Sequence, residues 1–338
     1  MSILRHLKLY RVKTVLRYVV ESWKNSKFVI EQSPESKRIP VYFDLIRSFV
    51  KLGADFNDYC TFSFWDKSKE EKDSFITVRR NDQLRFTMST QRVYQHFLDK
   101  DAFNKRFNKW IKRGFISTNE ASWPGIAEFV GKYDAVIAKP LTDFGGHGVI
   151  KLVKGSPDYA KKLDDLQTAI NARRGGQIIE EVIENTENIK KIAPASLNTI
   201  RLVTVIDKYN ELHVIASLLR MGNGKANTDN YHDGGMACEI DLDKCQLKGI
   251  AKGMNCVKYE KHPYSGILFD GYPVPEVKQC MEIIKEIAFT EPEARYVGWD
   301  FAVTPNGVEL LEGNIPPGED ITQLNARKGY WHQLLKWR

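Results

Sequence analysis

The sequence predicts an α+β protein with a helical front and a mixed, largely antiparallel body. Up to about residue 114, apolar residues recur at helical spacing between polar breaks; beyond it, short β-rich runs alternate with Gly-rich turns. The chain is also long enough, at 338 residues and 42% hydrophobic, for a large globular enzyme of roughly two to three subdomains, and too rich in aromatics for disorder.

Leu4, Leu7, Val12, Val15, Leu16, Val19 and Trp23 recur at helical spacing, so residues 1–27 read as an amphipathic helix, followed by the polar break "NSKFVIEQSPESKR". A second helical pattern runs from Pro40 to Leu52 and stops at Gly53. Residues 55–90 read as helices and loops, and "DKDAFNKRFNKWIKRG" as a helix closed by Gly114. The β-rich runs are "AVIAK", "GVIKL", "QIIEEVI", "TIRLVTVI", "LHVIASLL", "GWDFAVT" and "GVELLEG", with a final helix through "VKQCMEIIKEIAF". The boundaries expected on this basis are a basic helical region at 1–90, a first α+β subdomain at 91–188 and a second at 189–338.

No apolar run approaches the roughly 20 residues of a membrane span, and the Arg- and Lys-peppered N-terminus lacks the features of a secretory signal. Cys60, Cys238, Cys245, Cys256 and Cys280 are odd in number and scattered, which points to reduced thiols in a cytoplasmic protein. The net charge of +7 is uneven: residues 1–27 carry Arg5, Lys8, Arg11, Lys13, Arg17, Lys24 and Lys27 against Glu21 alone. That distribution argues against a nucleic-acid binder. It leaves two readings of the first helix: peripheral contact with an anionic membrane at its inner face, Tyr18 and Trp23 near the headgroups, or packing on the body.

The stretch "ELLEGNIPPGED" ends an apolar strand with Glu312 and Asn314 two positions apart. In the preceding "TPNG", Pro305 cannot take positive φ, so a three-residue loop with Gly307 left-handed is expected. Thr304 then lies opposite Val308, Asp300 opposite Glu312 and Gly298 opposite Asn314, all on one face. Facing carboxylates repel unless a cation lies between them, and this oxygen set suits Mg²⁺. A solvated hairpin is the plainer alternative.

Other motifs decide between these. "AVIAKPLTDFGGHGVIKL" places Lys139 before a Gly-rich hairpin (Gly145, Gly146, Gly148) whose N–H groups could cover phosphate oxygens. "QIIEEVIEN" is a strand running into a loop that could present backbone groups to adenine and a carboxylate to ribose. "SLNTIRLVTV" starts a strand with Asn198 and Arg201, an arginine suited to clamping phosphate or carboxylate. His232 and Asp233 in "NYHDGGMA" could bind substrate or form a capped turn, and His147 could reach a phosphate or stay solvated.

In that order, and with the details "APASLNTIRLVTV", "DNYHDGGMACEIDL" and "HPYSGILFDGYPVP", the chain from about Leu98 to Gly318 resembles the ATP-grasp superfamily, in its sugar-transfer-associated branch. The resemblance implies two α+β subdomains gripping ATP, with ATP and Mg²⁺ as cofactors. It implies Lys100 and Lys139 on the phosphates, Gly145, Gly146, His147 and Gly148 as a lid, and Glu180, Glu181, Val182 and Ile183 as the adenine hinge. Glu187 (or Glu184) would meet ribose, Asp300, Glu312 and Asn314 would hold metal, and Asn198, His232 and Asp233 would face substrate. The activity implied is a carboxylate–amine ligase acting through an acyl phosphate, amidating a uronic acid of a capsule or surface polysaccharide with an amino acid. Its partners would be a small-molecule or glycan carboxylate and an amine. Many amide-forming members carry an Arg two residues before the first metal acid; here Gly298 stands there, so Arg201 or Arg295 would take the part, and a kinase acting on a hydroxyl is the alternative. The basic helical front also replaces the usual N-terminal substrate domain.

Overall fold

The computed structural model describes residues 2–142, 148–172, 176–224, 229–231, 234–254 and 257–338. Among the described residues, eleven strands form two antiparallel sheets. In chain order the strands are β1 (Phe115–Ser117), β2 (Ala135–Pro140), β3 (Ile150–Val153), β4 (Gln177–Glu181), β5 (Thr199–Ile206), β6 (Leu212–Met221), β7 (Met236–Asp241), β8 (Gln246–Gly253), β9 (Lys258–Tyr259), β10 (Tyr296–Thr304) and β11 (Gly307–Asn314). The smaller sheet has the order β1-β4-β2-β3 and the larger β11-β10-β5-β6-β7-β8-β9.

The smaller sheet buries Val136, Ala138, Leu152 and Ile179 against two helices, Trp123–Lys132 and Tyr159–Asn171. The larger sheet is covered on both faces, which is why all nine residues of β10 are buried. On one face Val297, Trp299, Phe301 and Val303 pack with Phe97, Phe103 and Phe107 and with the helix Val277–Thr290. On the other, Tyr296, Val203 and Val205 meet Ile76, Leu84, Met88 and Leu334. The helices Gln91–Leu98 and Lys100–Arg106 therefore pack on the larger sheet.

The first helix runs Ser2–Gln32, through the polar break expected after residue 27, because Val29 belongs to the core formed by Val41, Leu45, Tyr59 and Phe75. The second spans Arg38–Leu52; Pro40 sits in its first turn, where no donor is needed, and Gly53 closes it at φ 70°. The helix expected to reach Gly114 stops at Arg106, and a 3₁₀ turn, Asn108–Trp110, follows. The chain then extends, so that the Lys112 and Arg113 amides donate to the Glu309 carboxylate at 2.8 and 3.0 Å. Two further helices, Glu319–Thr322 and Trp331–Trp337, follow the one expected to be last. Cys60, Cys238, Cys245 and Cys280 are buried free thiols, as expected of them; Cys256 lies outside the described residues.

Candidate active site

Asp300 pairs with Glu312, and Gly298 with Asn314, as the hairpin argument requires. The route differs. Thr304 pairs with Gly307 and not Val308, and a bulge between Asp300 and Phe301, with Leu311 as the extra residue, restores the register. Gly307 has φ 92°, the left-handed value the loop needs. The Asn314 amide nitrogen stands 3.3 Å from both Asp300 Oδ2 and Glu312 Oε1. It donates at the point where a cation would sit; turning the amide would present its oxygen instead.

Two arginines converge on the same carboxylate. Arg201, paired with Asp300 across β5 and β10, donates through Nε at 2.6 Å and Nη2 at 2.5 Å. Arg220 of β6 donates Nη1 to Asp300 Oδ2 at 2.7 Å, and its Nη2 stands 3.6 Å from Asp229. Burial by itself would raise the Asp300 carboxyl, but the two guanidiniums outweigh it and hold it at about 2. Glu312 shifts the other way: packed protein around the cleft and the Asp300 charge push it above the usual glutamate range. Solvent reaches the Glu312 side chain. Arg220 and Asp229 escaped the sequence reading. The one trace was an arginine inside the apolar run "ASLLRM".

On the smaller sheet, Lys139 Nζ meets Glu180 Oε2 at 2.7 Å. Glu180 is 3% exposed and also accepts from Arg113 at 2.6 Å and Asn104 at 3.0 Å. Burial opposes its charge, yet Arg113 and Lys139 hold its carboxyl far below the ordinary value. Its side chain is thus an internal counter-ion, which leaves its backbone alone for a hinge role. Glu181 is occupied as well: its carboxylate accepts the Gly114 amide at 3.0 Å. The Val182 amide is spent on Ala135 O at 3.0 Å, and Ile183 is half-buried just beyond. Glu187 opens the helix Glu187–Ile192 and is exposed, while Glu184 pairs with Lys190 at 2.7 Å. Lys100 lies beside the end of β2, its amide donating to Leu141 O at 3.1 Å.

Arg113 joins the two sheets. Besides Glu180 on β4, it donates to the Leu310 and Leu311 carbonyls of β11 at 2.9 and 3.2 Å. Nothing in "IKRGF" marks it as more than a surface cation.

Two expected site residues are elsewhere. Asn198 is fully buried and gives its amide hydrogens to Ile189 O and Ala193 O, bracing the start of β5 instead of facing substrate. Arg295 stands just before β10, five residues from Asp300 and roughly 16 Å away at strand rise, and donates to the Ile206 and Asp207 carbonyls. It cannot serve the reaction centre. Gly148 has φ 69°. Gly145, Gly146, His147, His232 and Asp233 lie outside the described residues.

A family model described as sugar-transfer associated ATP-grasp matches residues 79–337. The chain belongs to that family. No curated protein matches it. Among solved structures it is similar to the D-alanine–D-alanine ligase of Coxiella burnetii (10% identity, TM-score 0.41, 71% of this chain and 55% of that one). It is also similar to N5-carboxyaminoimidazole ribonucleotide synthetase in its ADP complex (11%, 0.44, 72% and 52%). A third is the ATP-grasp ligase PsnB with a phosphomimetic precursor variant, Mg and ADP (15%, 0.41, 73% and 59%). The chain spans between 52% and 59% of these neighbours' lengths. ATP-grasp enzymes use ATP and Mg²⁺, and the residues present fit the pair. Glu312 is raised by burial and by the facing Asp300 carboxylate, Asn314 can turn an oxygen inward, and Lys139 supplies a cation on the other sheet.

Proposed function

We propose that this ATP-grasp protein is an ATP- and Mg²⁺-dependent carboxylate–amine ligase that amidates a uronic acid of a capsule or surface polysaccharide with an amino acid. The observation that carries the reading is the meeting of Asp300, Glu312 and Asn314 with Arg201 and Arg220 at one point of the larger sheet. The substrate carboxylate attacks the γ-phosphorus and ADP leaves; the amine then displaces phosphate from the acyl phosphate. Bound Mg²⁺ would neutralise phosphate charge as it develops. Lys100 and Lys139 would hold phosphates, the backbone at 181–183 adenine, and Glu187 ribose.

Gly298 no longer favours the kinase alternative. A Cβ there would come within 2.9 Å of Pro317 and 3.7 Å of Arg201 Cδ. Pro317 is the neighbour that leaves no room for a side chain at 298, while the stem of Arg201 runs alongside at van der Waals distance and its guanidinium reaches the centre from the neighbouring strand. We assign Arg201 and Arg220 to the oxyanion of the tetrahedral intermediate. The same reading places the enzyme in the cytoplasm, with residues 1–27 against the membrane.

Product analysis tests it. The protein with Mg-ATP, a uronic-acid pool and an amino-acid pool should release ADP and free phosphate only when both pools are present, with an amide in the mass spectrum. ADP without free phosphate, together with a phosphorylated sugar, would establish the kinase instead.

A further inference from the structure

The catalytic reading leaves the outer side of the helical front unexplained. Residues 1–52 hold eleven Lys and Arg against four acids, which accounts for the entire net charge of +7; the remaining residues balance. One of the four acids, Asp44, is already engaged by Lys72 and the Tyr59 hydroxyl.

The same two helices expose large apolar side chains. On the first, Leu16, Val20 and Trp23 follow one another at four- and three-residue spacing, Leu16 60% and Val20 74% exposed. On the second, Ile39, Phe43 and Val50 share a face, Ile39 61% and Phe43 63% exposed. The stripes are continuous. Trp23 meets Tyr42 with ring centroids 5.5 Å apart, Tyr42 meets Phe43 at 5.2 Å, and the Arg38 guanidinium lies 4.0 Å over the Trp23 ring. Arg17, Lys24, Arg47 and Lys51 are exposed on the same helices. Tyr18, by contrast, stacks on Phe49 at 4.0 Å and is 8% exposed, so it is not among the groups presented outward.

We propose that this two-helix face docks the protein flat on an anionic lipid bilayer, Val20, Trp23, Ile39 and Phe43 entering the headgroup region and the flanking cations meeting lipid phosphates. Apolar and aromatic side chains mixed with cations suit an interface that is greasy beneath and negative on top. A nucleic acid or an acidic glycan would use the cations and leave the apolar side chains in water. Among the described residues no helix is long and apolar enough to cross a membrane, so contact would be peripheral. The proposal extends the membrane contact of residues 1–27 to the second helix and is independent of the reaction catalysed.

Co-sedimentation of the full chain with vesicles tests it. Binding should appear with phosphatidylcholine vesicles containing about one-third phosphatidylglycerol and be absent from pure phosphatidylcholine. It should weaken as salt rises from about 0.1 to 1 M and the screening length contracts. Val20→Ser/Phe43→Ser and Arg47→Gln/Lys51→Gln, all at exposed positions, should keep the wild-type circular dichroism and each lose about tenfold in partitioning. Three outcomes would overturn the proposal: equal binding to neutral vesicles or none to anionic ones; unchanged binding by Val20→Ser/Phe43→Ser, which marks a purely electrostatic surface; or a doubled mass by light scattering that this variant returns to monomer, which marks a second copy as the occupant.

Discussion

Glu312 and Glu319 are both acids held above their ordinary range, by burial first and a neighbouring carboxylate second. At Glu312, the crowded cleft and the Asp300 carboxylate facing it from the adjacent strand disfavour the charge. A cation there answers the repulsion, so Glu312→Gln should act mainly on the transition state. We expect kcat to fall by about a hundred- to a thousandfold, about 2.7–4 kcal/mol, with little change in nucleotide affinity. Without Mg²⁺ the melting temperature should stay level or rise, since a like-charge contact is gone. Normal activity and normal Mg²⁺ dependence in steady-state assays would reduce the pair in "LEGN" to a strand ending. Glu319 is raised to about 8 by burial first and then by Asp320, in a pocket shared with Asp55 and Asp58. A folded pKa above the unfolded one gives stability that is complete below the ordinary glutamate range and is lost as pH rises through about 8. Thermal melts between about pH 6 and 9 should therefore fall with pH, and Glu319→Gln should flatten the slope. A variant with the wild-type slope would place the titration elsewhere.

At the scale of elements, the hairpin β10–β11 was legible because period-2 alternation and a Pro-Asn-Gly loop are local. Its bulge was not: the extra residue at Leu311 has no local signature, and it compensates a turn one residue tighter than expected. The joint between the sheets was equally hidden. Arg113 reaches Glu180, Leu310 and Leu311, residues 67 to 198 positions away, and such contacts leave no periodicity to read. Removing one partner of a buried pair strands the other charge, at about 3–5 kcal/mol, whereas an exposed pair is worth under about 1. Arg113 and Glu180 are each 4% exposed at the side chain, which puts them in the first class. Urea unfolding of Glu180→Gln should show a loss near 3 kcal/mol; a loss under about 1 would mean the joint rests on packing. Glu180 therefore matters more to the fold than a hinge acting through its backbone would suggest.

For the molecule as a whole, the proposed site would draw on both sheets, with a cation from one and carboxylates from the other meeting a single ligand. Lys139 comes from the smaller sheet and Asp300, Glu312 and Asn314 from the larger, so nucleotide and metal should stabilise the chain only together. Mg-ATP at a hundredfold excess over Kd should add about 2.7 kcal/mol in thermal unfolding. EDTA should remove much of that gain. Lys139→Ala should weaken nucleotide affinity by roughly 1.5–3 kcal/mol in calorimetry, the value of a charge-assisted contact. Equal stabilisation by ATP with and without Mg²⁺ would disconnect the metal residues from the nucleotide.

By itself the sequence determined the α+β class, seven of the strands, the capped second helix, and the pairing of Asp300 with Glu312 and of Gly298 with Asn314. Each depends on a short-range rule: alternation, a turn residue, a cap, or neighbours two apart. Asn198 and Arg295 were misplaced because a polar residue at a strand end looks the same whether it braces a carbonyl or meets a ligand; only its surroundings differ. The partners of the metal acids were decided in three dimensions alone. Arg220 lies 80 residues from Asp300 and Arg201 lies 99, and burial against that one carboxylate is what turns two strand cations into part of a site. The same holds for Gly298, whose missing side chain reads as a lost function until Pro317 is seen 2.9 Å from where its Cβ would be, with the Arg201 stem alongside.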